Sequence, residues 1–467
     1  MVSIDPFAPA HAIADQVRRG HVTASAVTRL FLDRIAAANG KLNAFTDVLA
    51  ARALETARAI DERKARGEAL GPLAGVPFAV KNLFDVEGLP TRAGSLINRA
   101  RAPATRDAVL IERLAAADAV LIGALNMGEY AYDFTGENVH DGACRNPHAP
   151  DHMAGGSSSG CGAATGGGLA PISLGSDTNG SIRVPSSLCG TFGLKPTYGR
   201  LPRSRSFPFC DSLDHLGPFA RSARDLALAY DLMQGHDPQD HACAERPVEP
   251  TLPGLGQGID GLRIGVLGGH FSTDGMPVAA KAVALVAAAL GAGTTVDLPG
   301  AEAGRAAAFL ITNAEGATLH LDRLRTRAND FDPETRDRFL AGAMLPAPWL
   351  VKAQAVRRWY AAQAARLFKD FDLLIAPSTP MQAPRIGQKT MELRGRTVPV
   401  RPMFGLFTQP ISAIGLPVCA VPVPGADPGG LPIGVQVIAA PWREDLALRA
   451  AAFLEARGVA GAPIPVL

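Results

Sequence analysis

The chain has 467 residues, including 49 Gly and 37 Pro, with no Gly-X-Y period that would indicate collagen. With 47% hydrophobic and 19% charged residues it can bury a large core, so it is not a disordered chain. A formal net charge of +2, from 46 basic and 44 acidic residues, argues against a nucleic-acid-binding surface.

Taken in chain order, residues 7 to about 66 read as helices. Ala14, Val17, Val22, Val27, Leu30, Phe31 and Ile35 recur at roughly helical spacing. The run from Gly71 to Pro77 breaks the helix, and Phe78-Ala79-Val80 is a short apolar strand ending at Lys81. A helix is expected over 107–117 and a strand over 120–123. Residues 138 to about 193 read as loop-rich, dense in Gly, Ser and Pro. A helix follows at 222–234. Then 262–267, 278–290 and 295–298 form a β-α-β pattern. Residues 331–360 read as helical, with Asp332-Pro333 as N-cap and first position. Strands are expected at 372–377, 418–422 and 435–438, and a last helix at 444–457. This alternation predicts one layered α/β domain with a mostly parallel or mixed sheet.

The six Cys show no CxxC spacing, which argues against a zinc knuckle or a redox motif. They read as reduced, mostly buried thiols of a cytoplasmic protein. Two charge-free stretches, 153–176 and 402–426, are too rich in Gly and Ser or in Pro to span a membrane. The N-terminus, Met1-Val-Ser-Ile-Asp, has neither a basic n-region nor an apolar h-region.

Chemistry concentrates in Gly155-Gly-Ser157-Ser158-Ser159-Gly160 and in Gly175-Ser-Asp177-Thr178-Asn179-Gly180-Ser181-Ile-Arg183-Val-Pro185. A Walker loop would need a Lys that is missing between Arg145 and Lys195. A dinucleotide fingerprint or a hydrolase nucleophile elbow would need a strand directly before the glycines. Pro147-His-Ala-Pro-Asp-His-Met153 cannot be a central one. A serine hydrolase with a Lys base fits better. A Ser hydroxyl needs a neighbouring base, and a Lys serves if burial lowers its pKa. Lys81 closes an apolar strand that suits such burial. The glycines before Ser181 would bare backbone N–H groups for an oxyanion. His140, His148 and His152 lie near the motif but have no Cys or Glu at ligand spacing, so no metal is expected. Met127 and Glu129 read as packing and loop-tethering residues.

From residue 155 to 185 the motif resembles that of the amidase signature family almost position by position. Gly75-Val-Pro77…Lys81, Asn126-Met-Gly-Glu129, Asn146-Pro147, Ser212-Leu-Asp214…Gly217-Pro218 and Gly415-Leu-Pro417 extend the resemblance over nearly the whole chain. It implies a single large α/β domain whose central mixed sheet is covered by helices on both faces. Residues 1–66 would be an N-terminal helical segment packed on the domain of 67–467. It implies a Ser–cisSer–Lys triad of Ser181, Ser157 and Lys81, with no cofactor. The backbone N–H groups of Thr178, Asn179, Gly180 and Ser181 would form the oxyanion hole. Asp177 and Arg183 read as a structural ion pair around the loop. Two positions depart from the family pattern: Asn82 where Asp is frequent, and Asn179-Gly180 where Gly-Gly is usual.

Local wording at 178–183, 190–202, 206–209 and 330–343 resembles one branch, the AtzE-type 1-carboxybiuret hydrolases. That resemblance implies a small amide substrate carrying a carboxylate, and a small AtzG-type partner subunit in a heterotetramer. Such a substrate needs a cation or backbone donors. Arg323, Arg325, Arg327, Arg336, Arg338, Arg357 and Arg358 are candidates, with Tyr360 and Gln409 as further donors or acceptors. Other readings are a broad aliphatic or aryl amidase, a glutamine amidotransferase A-type subunit, and a non-catalytic homologue.

Overall fold

The structure, a computed structural model, describes residues 4–466. Met1, Val2 and Ser3 of the N-terminal stretch, and Leu467, lie outside the described residues. The apolar runs become strands β1 (Phe45–Val48), β2 (Pro77–Lys81), β3 (Val120–Leu125), β4 (Ile172–Asp177), β5 (Phe192–Lys195) and β6 (His215–Ala220). After them come β7 (Ile264–Leu267), β8 (Thr294–Val296), β9 (Leu373–Pro377), β10 (Val418–Pro422) and β11 (Gly434–Ala439). They form one 11-stranded sheet in the order β1-β3-β2-β4-β6-β5-β10-β11-β9-β7-β8. Strands β2, β3 and β4 run parallel, as do β7, β8 and β9, while the strands between are antiparallel. The sheet is mixed, as expected. Its middle strands are buried along their whole length, which explains why they read as continuous apolar runs rather than alternating ones.

The expected β-α-β pattern is present as β7, the helix Pro277–Ala289 and β8. Among the described residues no single helix is long and apolar enough to cross a membrane. All six Cys are buried and unpaired. The N-terminal helices dock on the rest of the chain through polar as well as apolar contacts. Asp225 accepts from the backbone N–H of Ala10 at 2.7 Å and of His11 at 2.9 Å.

Three sequence expectations need correction. First, β1 lies inside the stretch read as helical. The helix Ala24–Leu42 stops because Asn43 takes a left-handed conformation, φ 50°. The β-prone Phe45-Thr-Asp-Val48 then pairs antiparallel with β3.

Second, the segment read as loop-rich holds two helices, Ser159–Gly166 and Arg183–Cys189, and central strand β4. Several of its glycines mark close packing inside helices. A Cβ on Gly160 would lie 2.4 Å from the Ala44 carbonyl oxygen, and one on Gly166 would lie 2.6 Å from that of Cys189. Packing overrides the poor helix propensity of these residues.

Third, 331–360 is not one helical run. Pro333–Ala343 and Ala347–Leu367 are separate helices bent by 97° at a break that includes Pro346. Asp332 caps the first, accepting from the Glu334 N–H at 3.0 Å. Sequence reading also missed the helix Ala301–Thr326, whose many small residues dilute its apolar face.

Candidate active site

Parallel neighbours β2 and β4 end on the same edge of the sheet. Val80 lies beside Leu174, so Lys81 ends β2 level with Gly175, one residue before Ser176. Open α/β sheets bind ligands at such carboxyl ends.

The Lys81 side chain is fully buried. Its Nζ donates to Ser157 Oγ at 2.7 Å and to Ser176 Oγ at 2.8 Å. Burial pushes the Lys81 ammonium down to about 7, and nearby Cys161, Asp214, Asp177 and Asp133 only partly oppose this. At neutral pH a large share of Lys81 is therefore the free amine.

Ser157 follows a cis Gly156–Ser157 peptide, just before the helix Ser159–Gly166. Its neighbour Ser158 ties the serine loop to β4. The Ser158 hydroxyl donates to the Ser176 carbonyl at 3.0 Å and accepts from the Ser176 N–H at 3.2 Å. This closeness requires Gly at 175, where a Cβ would lie 2.7 Å from Ser158 Oγ. The Ser158 N–H also donates to the Ser181 carbonyl at 3.4 Å, joining the serine loop to the loop after β4.

That second loop is shaped by Asp177 and Arg183. Arg183 donates from Nε to Asp177 Oδ2 and from Nη2 to Asp177 Oδ1, both at 2.9 Å, and neither side chain is exposed. Burial alone would raise the Asp177 carboxyl, but the Arg183 charge and its hydrogen bonds outweigh this and hold it well below the usual range. The expected ion pair is therefore present, and it does more than hold the loop. Asp177 also accepts from the N–H of Gly180 at 2.7 Å and of Ile182 at 3.1 Å.

This corrects one member of the expected oxyanion hole: the Gly180 N–H is already committed to a carboxylate. Among the described residues, the N–H groups of Thr178, Asn179 and Ser181 have no such acceptor.

Ser181 and Asn179 open into a cavity of about 740 Å³. The Asn179 Nδ2 donates to Thr312 Oγ1 at 2.8 Å, while its buried Oδ1 has no partner. Asp133 in the cavity wall binds Arg401 at 2.6 Å.

A family model for amidases matches residues 26–448. The chain belongs to the amidase signature family. Among its amidase relatives, the AtzE component of 1-carboxybiuret hydrolase from Pseudomonas sp. (strain ADP) is 54% identical over 96% of this chain and 98% of its own. The A-type subunit of glutamyl-tRNA(Gln) amidotransferase from Moorella thermoacetica is 35% identical over 95% of each chain. A solved, inhibitor-bound structure, described as a vestigial protein complex that reveals the evolutionary origins of an s-triazine catabolic enzyme, is 53% identical. It superposes with a TM-score of 0.96, over 98% of this chain and 100% of that one.

Within this amidase, the structure sorts the residues singled out from sequence. Of the seven Arg candidates only Arg338 lines the cavity, joined by Gln409. Arg338 stacks on the Tyr132 ring, with 3.9 Å from its guanidinium carbon to the ring centroid. Arg323 packs on Phe207, Arg357 binds the Ala413 and Ser212 carbonyls, and Tyr360 is buried behind Gly304. Asn82 accepts from the Gly94 N–H at 3.0 Å through its side-chain oxygen, so it shapes a neighbouring loop.

The three histidines go separate ways, to Glu129, the Cys189 carbonyl and Asp151. Glu129 accepts from Ser95 Oγ and from the Asp332 N–H, so it is a loop tether. Sequence reasoning missed Ser176, Arg305 and Arg401. The spacing of Arg305, Phe309 and Thr312, one face of a helix, is the signal that could have found Arg305.

Proposed function

We propose that this chain is an amidohydrolase that cleaves the terminal amide of 1-carboxybiuret, giving urea-1,3-dicarboxylate and ammonia. The observation that carries the chemistry is Lys81, buried, poised near neutrality and bonded to Ser157. The observation that carries the substrate is the likeness, over nearly the full length of both chains, to the AtzE component of 1-carboxybiuret hydrolase.

Ser181 is the nucleophile in this reading. The free amine of Lys81 takes the Ser157 proton, and Ser157 takes the Ser181 proton as Ser181 Oγ attacks the carbonyl carbon. The oxyanion rests on the backbone N–H groups of Asn179 and Ser181, with that of Thr178 beside them. The relay returns the proton to the leaving nitrogen, and ammonia departs. Water then attacks the acyl-enzyme, gives its proton to the same relay and frees Ser181. Asp177 and Arg183 take no proton and fix the loop.

A small partner subunit in a heterotetramer belongs to the same proposal. Leu340, Trp349 and Val351 on the two bent helices and Met344 at the break between them are exposed, and the solved relative was described as part of a protein complex. Six unpaired, buried Cys support a cytoplasmic setting.

The test is ammonia release from 1-carboxybiuret, biuret, glutamine and simple aliphatic amides, by wild type and by Ser181→Ala. We expect 1-carboxybiuret to be preferred. The variant should lose at least about 10⁴-fold in turnover with an unchanged circular dichroism spectrum. Full activity in Ser181→Ala overturns the mechanism, and preference for glutamine overturns the substrate.

A further inference from the structure

Five cationic side chains border the cavity: Arg305, Arg338, Lys389, Arg394 and Arg401. Their surroundings differ. Arg401 is neutralised by Asp133 at 2.6 Å. Lys389 and Arg394 are exposed to solvent. Arg338 also forms no ion pair among the described residues, but the Tyr132 ring covers one face of its guanidinium while the carbonyls of Tyr132 and Glu334 take its Nη2 and Nε.

Arg305 is half-buried and forms no ion pair among the described residues, although Glu302 borders the same cavity. It donates from Nε to Gln409 Oε1 at 2.9 Å and from Nη2 to the Pro402 carbonyl at 2.8 Å. Two neutral acceptors thus hold one edge of the guanidinium, and Nη1 has no partner among the described residues. A cation withdrawn from water without a counter-ion is costly unless an anion joins it. A guanidinium with a free edge is suited to a carboxylate.

Its position along the helix adds a length. Arg305 and Thr312 lie on the cavity face of the helix Ala301–Thr326, seven residues apart. That is about 10 Å along the axis. Thr312 holds Asn179, two residues before Ser181. The cation therefore stands about two helical turns from the reacting end.

We propose that Arg305, oriented by Gln409, binds the carboxylate of the substrate and so selects small amides bearing an acid at the end opposite the scissile bond. This rests on the amidohydrolase reading but not on the identity of 1-carboxybiuret. Any anionic amide of suitable length would meet the same cation, whereas a neutral amide would leave it unpaired.

The experiment measures a ratio: kcat/KM for an anionic amide over kcat/KM for its neutral counterpart. The pairs are 1-carboxybiuret against biuret and succinamate against butyramide. Wild type should favour the anionic member of each pair. Arg305→Met should lower the ratio by about 100-fold, mainly through KM of the anionic member. Arg305→Lys keeps the charge but not the fork and should lower it by about 10-fold. It supplies the reading if the Met variant folds poorly.

A ratio within threefold of wild type in both variants overturns the proposal, whether both activities fall or neither does. Wild-type preference for neutral amides overturns it as well. Failure of the amidohydrolase reading looks different: wild type would release no ammonia from any amide. Failure of the 1-carboxybiuret reading alone would leave the second pair to decide.

Discussion

Lys81 Nζ and Ser157 Oγ sit 2.7 Å apart with no water-accessible surface on either side chain. The lysine is held near pKa 7 because leaving water costs the ammonium more than nearby acids return. Below about 7 it is protonated and cannot accept the Ser157 proton. We therefore expect kcat/KM to rise with pH through a single limb near 7 and to level off above it, read from an ammonia-release profile. Lys81→Met should lose at least about 100-fold in activity.

The same shift sets a stability trend. Between about 7 in the folded chain and about 10.4 in the unfolded one, the unfolded chain holds the extra proton. Wild-type stability gains from this group as pH rises across that window, and the penalty is complete below it. Lys81→Met lacks that term. Its stability relative to wild type should be most favourable at pH 7 and should decline toward pH 10, as measured by urea midpoints.

Ser176 is the second acceptor of the Lys81 amine, at 2.8 Å. Ser176→Ala leaves the relay intact but frees Nζ to swing. We expect kcat to fall by about 10- to 100-fold. The acid limb should also move to lower pH, because a hydroxyl that favoured the ammonium has gone. A loss of activity with an unmoved limb would assign Ser176 to packing instead.

Removing Asp177 strands a fully buried guanidinium. Asp177→Ala should cost about 3–5 kcal/mol of stability, seen as a lower urea midpoint, and it also releases the Gly180 and Ile182 N–H groups. Turnover should fall with it, since the loop bearing Ser181 loses the carboxylate that shapes it.

Asn179 stands where the family usually has Gly, and its Oδ1 is buried without a partner. Asn179 itself lines the cavity beside Ser181. Asn179→Ala keeps the backbone donor and removes the side-chain acceptor. We expect an increase in KM of about 10-fold that exceeds any change in kcat, separable by steady-state kinetics.

The sequence made the strand ending at Lys81 legible because apolar residues run unbroken up to a single charge. Ser157, Asp177, Ser181 and Arg183 were legible through the resemblance of residues 155–185 to the amidase signature motif. The helices inside 155–193 were not legible. Glycine there answers to neighbours such as Ala44 and Cys189, which are distant in sequence, and no local pattern records them. The commitment of the Gly180 N–H to Asp177 was hidden for the same reason, since it depends on which way the loop turns. Arg305 escaped because its lack of a counter-ion is a property of its surroundings, whereas the named arginines were chosen by abundance.

Arg183 also binds the Thr408 carbonyl at 3.1 Å and Gln436 Oε1 at 2.7 Å, groups that lie 225 and 253 residues further along the chain. At about 5–20 residues per second, a ribosome needs roughly 10–45 s to deliver the first of these. Through that interval the guanidinium has only part of its final shell. The loop carrying Ser181 is thus completed by some of the last sheet residues to be made. Chains that stop before these residues carry the whole Ser–Lys motif and still lack part of the shell that holds its loop.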